Sequence, residues 1–133
     1  MSETKLEILL QTMQPVLNPN AYVFTTVPLG SSLPNGILGM FHEAEGVTLI
    51  LEKSRAEELL LDFGAEFAWI SLTVYSSLEA VGLTAAFSTA LTQAGISCNV
   101  VAAFYHDHIF VPYARAKDAM RVLRALGQQD LLA

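Results

Sequence analysis

FAWISLTVY, residues 67–75, is the stretch whose period decides the fold of this chain. Trp69, Ser71, Thr73 and Tyr75 alternate with Ala68, Ile70, Leu72 and Val74, with Phe67 beside the first set. One face is mixed and the other fully apolar, the pattern of a strand covered on one side. Downstream the period lengthens. Over about 80–94, Leu83, Phe87, Ala90, Leu91 and Ala94 fall on one side of a helix, and Thr84, Ser88 and Thr92 on the other. Gly95 follows where a helix end needs left-handed backbone, and Ile96 is placed to pack back on the last turn. A second strand is expected over 97–105, a tight turn at His106-Asp107, and the hairpin partner over 108–113, where Pro112 implies an edge position or a free N–H side. A last helix over 114–126 buries Ala116, Ala119, Met120 and Leu123 and stops at Gly127. The second half therefore reads β-α-β-β-α.

Working back towards the N-terminus, a helix is expected over 4–16. Thr4 and Glu7 make a T-x-x-E capping box, and Leu6, Leu9, Leu10 and Met13 an apolar stripe; 17–20, LNPN, stops it. Residues 22–27 form a strand by β-branched and aromatic content. The stretch 28–36, PLGSSLPNG, is a loop. Residues 37–42 and 47–52 form a hairpin around 43–46, EAEG. Ser54 and Glu57 make a second capping box, so a short helix runs to about residue 60. The first half thus reads α-β-β-β-α. Both halves contain a hairpin followed at once by a short amphipathic helix, a weak internal repeat carried by pattern more than by identity.

Composition narrows the function classes. Of 133 residues, 53% are hydrophobic and 15% charged, where an average domain carries about 25% charged. That excess of apolar side chains is more than a monomer this small hides easily, so a subunit interface is expected, with a homodimer the minimal unit. Formal net charge is −6, which argues against nucleic acid as a partner. No apolar run approaches the roughly 18–20 residues of a membrane span. No signal peptide is evident, and the single cysteine, Cys98, has no internal partner; together these point to the cytoplasm.

Residues 67–126 resemble an ACT domain. The likeness rests on the strand FAWISLTV, the loop YSSLEAVG, the helix GLTAAFSTALTQAGI, then SCNVVAAF and HIFVPYARAKDAMRVLRAL. Its most specific part is V-G-L-x(10)-A-G-I-S-x-N-V, with a glycine at the mouth of the first helix and A-G-I-S before the second strand. YHDHIFVP, 105–112, is similar to small bacterial ACT-like proteins of unassigned function, and the pairing of two such halves resembles the ACT repeats of arginine-sensing regulators. The resemblance implies an α+β fold: tandem ferredoxin-like βαββαβ modules, each an antiparallel sheet covered by helices on one face. The expected modules are 1–65, divergent, and 66–133. Two departures matter. No strand follows the last helix, and Tyr22–Val27 is the candidate to supply it. The first module lacks a helix between its first two strands, and the helix at 4–16 is expected to pack in its stead.

The resemblance also implies a small-molecule effector, with an amino acid favoured, and no catalysis. The candidate site is the junction of 67–75 with the following helix: Ser76, Ser77, Leu78, Glu79 and Gly82, with Ser97 and Asn99 beginning the neighbouring strand. A helix start offers N–H groups and positive dipole to a carboxylate. Ser76 and Ser77 add hydroxyls, Gly82 permits close backbone approach, and Glu79 answers an ammonium group. The same serines equally serve as plain helix caps.

Other features weigh less. His106-Asp107-His108 has the look of a metal site, but two histidines do not make one, and a polar turn is the simpler reading. Cys98 reads as an inert core thiol. Lys117, Arg121 and Arg124 share a helix face near Arg115 and read as solvated. Trp69, Phe104 and Phe110 read as core or interface. No G-x-S-x-G, Walker A, H-E-x-x-H or G-x-G-x-x-G pattern occurs, so no catalytic residue, metal or cofactor is expected. Three functions compete: a regulatory module binding a small effector, a structural assembly partner without ligand, and a small metal enzyme using His106 and His108.

Overall fold

The structure, a computed structural model, describes residues 6–73 and 82–127. In chain order the elements are α1 (Leu6–Thr12), β1 (Gln14–Leu17), β2 (Tyr22–Val27), β3 (Ile37–Glu43), β4 (Gly46–Glu52), α2 (Lys53–Glu58), β5 (Phe67–Thr73), α3 (Leu83–Gln93), β6 (Asn99–Ala102), β7 (Asp107–Pro112), a 3-10 turn (Tyr113–Arg115) and α4 (Ala116–Gly127). Contacts divide the chain into two compact units. One is continuous, Asn20–Phe67; the other joins Met1–Pro19 to Ala68–Ala133.

In the discontinuous unit, β1 pairs antiparallel with β5, from Gln14 opposite Thr73 to Leu17 opposite Ile70. β7 lies on the other side of β5, and β6 beyond β7. The β6–β7 pair is antiparallel, with Asn99 opposite Phe110 and Ala102 opposite Asp107. Ala68, Ile70 and Leu72 turn one face of β5 into the core, as their alternation requires, where Ile109 and Val111 join them. Leu83, Phe87 and Leu91 of α3, Ala119, Met120 and Leu123 of α4, and Leu10 of α1 close that core. Gly95, at φ +74, ends α3 as expected: its N–H donates to the Thr92 carbonyl, and the N–H of buried Ile96 to the Leu91 carbonyl, both at 2.9 Å.

Four expectations fail here. The helix over 4–16 stops at Thr12 because Pro15 follows: a helix-interior proline costs about 3 kcal/mol, and the residue before it is pushed to extended backbone. The freed segment becomes β1, so the missing fourth strand comes from Gln14–Leu17 and not from Tyr22–Val27. Helix α1 packs on α3 and α4 and does not stand in for the absent helix of the first half. The β6–β7 turn lies at Phe104-Tyr105, closed by Ala103 N–H on the His106 carbonyl at 3.0 Å, and not at His106-Asp107. Ile109 and Val111 point inward and His108 to the opposite face, an alternation that this four-residue change of register leaves intact.

In the continuous unit the strand order is β3-β4-β2. Tyr22 faces Glu52 and Val27 faces Val47 across β2 and β4, and Phe67 pairs with Tyr22 on the far side of β2. Val23, Val47, Leu49 and Leu51 bury one face under Ala56 of α2. Phe24 meets Phe67 edge-on at 5.3 Å. The stretch 28–36 contains no helix, as expected. Ser54 is not a cap: α2 starts at Lys53, whose N–H donates to the Ala21 carbonyl at 2.9 Å, so a neighbouring strand end takes the place of a side-chain cap. Lys53 forms an ion pair with Glu66.

Candidate functional site

Of the residues expected to form the effector site, Ser76, Ser77, Leu78 and Glu79 lie outside the described residues. Gly82 is the N-cap of α3, at φ +92, and its carbonyl accepts the Ala86 N–H at 2.9 Å. It opens on a groove of about 530 Å³ lined by Leu6, Leu10, Ala85, Ala86, Thr89, Ala90, Gln93 and Leu126. A Cβ at Gly82 would sit 3.4 Å from Leu6. The groove is apolar apart from Thr89 and Gln93, as the contact of α1 with α3 and α4 dictates.

Ser97 and Asn99 are exposed and do not line this groove. They were expected to begin the strand next to β5, but β7 lies between β5 and β6, as chain-reversing ferredoxin-like order requires. The Asn99 amide donates to the Phe110 carbonyl at 3.4 Å.

The face of β5 away from the helices carries a polar cluster that sequence reasoning passed over. The Trp69 indole N–H donates to His108 Nδ1 at 3.0 Å, and Ser71 Oγ lies 3.2 Å from the same nitrogen. The Asn18 amide donates to Ser71 Oγ at 3.0 Å and to the Trp69 carbonyl at 3.2 Å, and the Asn18 backbone N–H bonds that carbonyl at 2.9 Å. The rings of Trp69 and His108 lie 5.8 Å apart. Burial holds the His108 pKa below its usual value, the nearby His106 acts in the same direction, and Asp107 opposes them. Burial also raises the Asp107 carboxyl. The signal available in sequence was parity: residues 69 and 71 share a face, and His108 takes the side of β7 opposite Ile109 and Val111.

Cys98 is half-buried, and burial pushes its thiol up to about 11, with a Ser88 hydrogen bond partly offsetting this. It is a poor nucleophile at neutral pH. Lys117, Arg121 and Arg124 are exposed. Arg115 donates to Asp118 at 3.0 Å and to the Ala94 and Gly95 carbonyls at 3.3 and 3.4 Å, satisfying the end of α3. Phe110 is buried, whereas Phe104 is 79% exposed at the hairpin tip. In the continuous unit, Phe24, Thr25, Thr26, Glu43, Thr48, Asp62, Phe63 and Gly64 line an open groove of about 640 Å³, which nothing in the sequence pattern announced. Among the described residues no three His, Cys, Asp or Glu side chains converge as metal ligands, and no helix is long and apolar enough to cross a membrane.

This arrangement has known counterparts. Residues 1–68 match one ACT domain model and residues 65–125 another. No curated protein matches the chain. Among solved structures, a protein of unknown function from Vibrio cholerae, described as a possible transport protein, is 46% identical over 92% of this chain and 96% of that one, with a TM-score of 0.82. A protein from Agrobacterium tumefaciens is 15% identical, covering 86% of this chain and 89% of its own, with a TM-score of 0.71. The regulatory subunit of aspartate kinase from Thermus flavus is 11% identical over 84% of this chain and 95% of that one, at a TM-score of 0.66, a likeness of fold alone. Two family matches in tandem, with a relative of 46% identity along nearly the whole chain, make this protein a member of the ACT domain family.

Proposed function

We propose that this protein is a non-enzymatic regulatory module that binds an amino acid or similar small effector. The observation that supports it is the tandem ACT domain match across residues 1–125, since ACT domains are typically regulatory modules of this kind. The regulatory subunit of aspartate kinase has the same fold. We place the modules at 1–65 and 66–133, with β1 crossing from the first to complete the sheet of the second. The effector site is the loop Ser76, Ser77, Leu78, Glu79 and Gly82, with Ser97, which precedes β6, and Asn99, its first residue, flanking the mouth. The protein works in the cytoplasm as a homodimer or higher homo-oligomer, with no nucleic acid, membrane or cofactor involved.

A panel of free amino acids in a thermal-shift assay tests this. A ligand at 100 times its dissociation constant adds about 2.7 kcal/mol of stability, a readily measured rise in Tm. Gly82→Val, verified as folded by circular dichroism, is expected to lose the shift. If it binds as well as the parent, the site is wrong; if no amino acid raises Tm, the effector is of another class or absent. The second reading, an assembly partner without ligand, is favoured by one observation: Phe41, Leu60, Phe104 and Tyr105 are each at least 71% exposed.

A further inference from the structure

We propose that His108 is a proton-controlled latch: as neutral imidazole it ties β1, β5 and β7 together, and as imidazolium it lets them go. The geometry is directional. An indole N–H only donates, so the Trp69 contact requires a lone pair on His108 Nδ1. The Asn18 amide donates to Ser71 Oγ, which leaves the Ser71 hydroxyl proton to point at the same nitrogen. Nδ1 is therefore a shared acceptor, and the proton of the neutral ring sits on Nε2. Protonation puts an N–H where two donors already point. Trp69 then loses this acceptor outright. Ser71 cannot accept from both Asn18 and the ring without turning its own proton away.

The consequence reaches three strands. Asn18 immediately follows β1, Trp69 and Ser71 belong to β5, and His108 to β7. The titratable groups that face the latch are its neighbours Asp107 and His106; β1, β5 and β6 bring none among the described residues. Burial already disfavours the imidazolium, and it is the leading cause of the lowered His108 pKa, so the latch is closed at neutral pH. The unfolded imidazole titrates near 6.5. Between that value and the lower folded one, the unfolded chain binds more protons, so stability falls as pH drops through this window and is level above it. Asp107 has the opposite sign: its raised carboxyl favours the fold at more acid pH.

NMR titration of the full chain separates these effects, because Trp69 is the single tryptophan and its indole N–H is one unambiguous resonance. His108 is expected to titrate below 6.5, with the indole N–H resonance shifting at the same midpoint. Trp69→Phe removes a donor to neutral Nδ1 and is expected to move the His108 midpoint up. His108→Asn, whose Oδ1 can replace Nδ1 as acceptor, is expected to keep the indole bonded and abolish its pH response. A His108 midpoint at or above 6.5, an indole resonance unmoved through that midpoint, or a Trp69→Phe midpoint equal to the parent's each overturns the proposal. The parent titration and Trp69→Phe decide it even if His108→Asn does not fold.

Discussion

β6–β7–α4 and β3–β4–α2 are the same motif, a hairpin running straight into a helix, yet they sit in very different cores. α4 has 12 residues and packs with α1 and α3; α2 has 6 and packs on β2 and β4. Among the described residues, the discontinuous unit gathers 14 buried side chains into one cluster, the continuous unit 5. The continuous unit has a loop where its counterpart has α3, and it covers its sheet with α2 and the chain after it, through Leu59, Leu61 and Phe63. Local stability follows the apolar area a region buries, so the two units should differ in how readily they open.

The largest effect expected is at the centre of the larger core. Phe87 is fully buried, and Phe87→Ala should cost about 3–5 kcal/mol, a large part of the 5–15 kcal/mol a domain usually has. Leu51→Ala, equally buried in the thinner core, should cost less, towards 2 kcal/mol, because α2 can settle inward. Denaturant unfolding measures both. Native-state hydrogen exchange should show β2 and β4 opening more readily than β5 and β7. Equal costs and equal protection would mean that the units unfold as one and that core size does not set local stability here.

A sharper comparison lies at two helix ends. α3 and α2 finish with the same bonds: Ile96 N–H to Leu91 carbonyl at 2.9 Å in one, Leu61 N–H to Ala56 carbonyl at 3.0 Å in the other. Both motifs need one left-handed residue. In α3 it is Gly95, at φ +74; in α2 it is Leu60, at φ +56 and 90% exposed. A left-handed non-glycine residue costs roughly 1–2 kcal/mol. Gly95→Ala has open space for its Cβ and should destabilise by about 1 kcal/mol through backbone alone. Leu60→Gly gives up no packing and should stabilise by about 0.5 kcal/mol, the relief of strain exceeding the added freedom of the unfolded chain. Paired Tm measurements, with opposite signs, check this.

What the sequence disclosed follows the same divide between local and long-range causes. The strand at 67–73, the hairpin at 37–52, the end of α3 at Gly95 and the ACT likeness were legible because each is written in period, turn chemistry or motif within one segment. The destination of the N-terminal segment was not. Pro15 marks a break, but that the segment beyond it pairs with β5 depends on an open strand edge more than 50 residues away. The polar cluster escaped for a related reason: Asn18 follows β1, Trp69 and Ser71 lie on β5 and His108 on β7, and only the strand order that sets β7 beside β5 brings His108 to them. The placement of Ser97 and Asn99 on a strand next to β5 missed the strand order, since β7 returns between β5 and β6. The apolar groove beside Gly82 was hidden likewise, its far wall being α1.

The smallest effect expected concerns charge, and it again separates the two units. Asp118 accepts from Arg115 at 3.0 Å and lies 3.1 Å from Arg121, while Arg115 also holds the carbonyls that end α3. The Arg115 hydrogen bond, with both guanidinium charges, keeps the Asp118 carboxyl below its usual pKa against the opposing effect of desolvation. Lys53 and Glu66 form a pair with no second cation among the described residues. Exposed pairs contribute little because water and salt screen them, and a network that also fixes a helix end should do somewhat better. Asp118→Asn is therefore expected to lower Tm at pH 7 and low salt by less than Gly95→Ala does, yet by more than Glu66→Gln. A carboxylate with a lowered folded pKa supports the fold above its unfolded pKa and loses that support as pH falls through the folded value. The difference in Tm between parent and Asp118→Asn should accordingly shrink below the usual carboxylate range and again with added salt. If it persists unchanged in both, Asp118 acts through packing and not through charge.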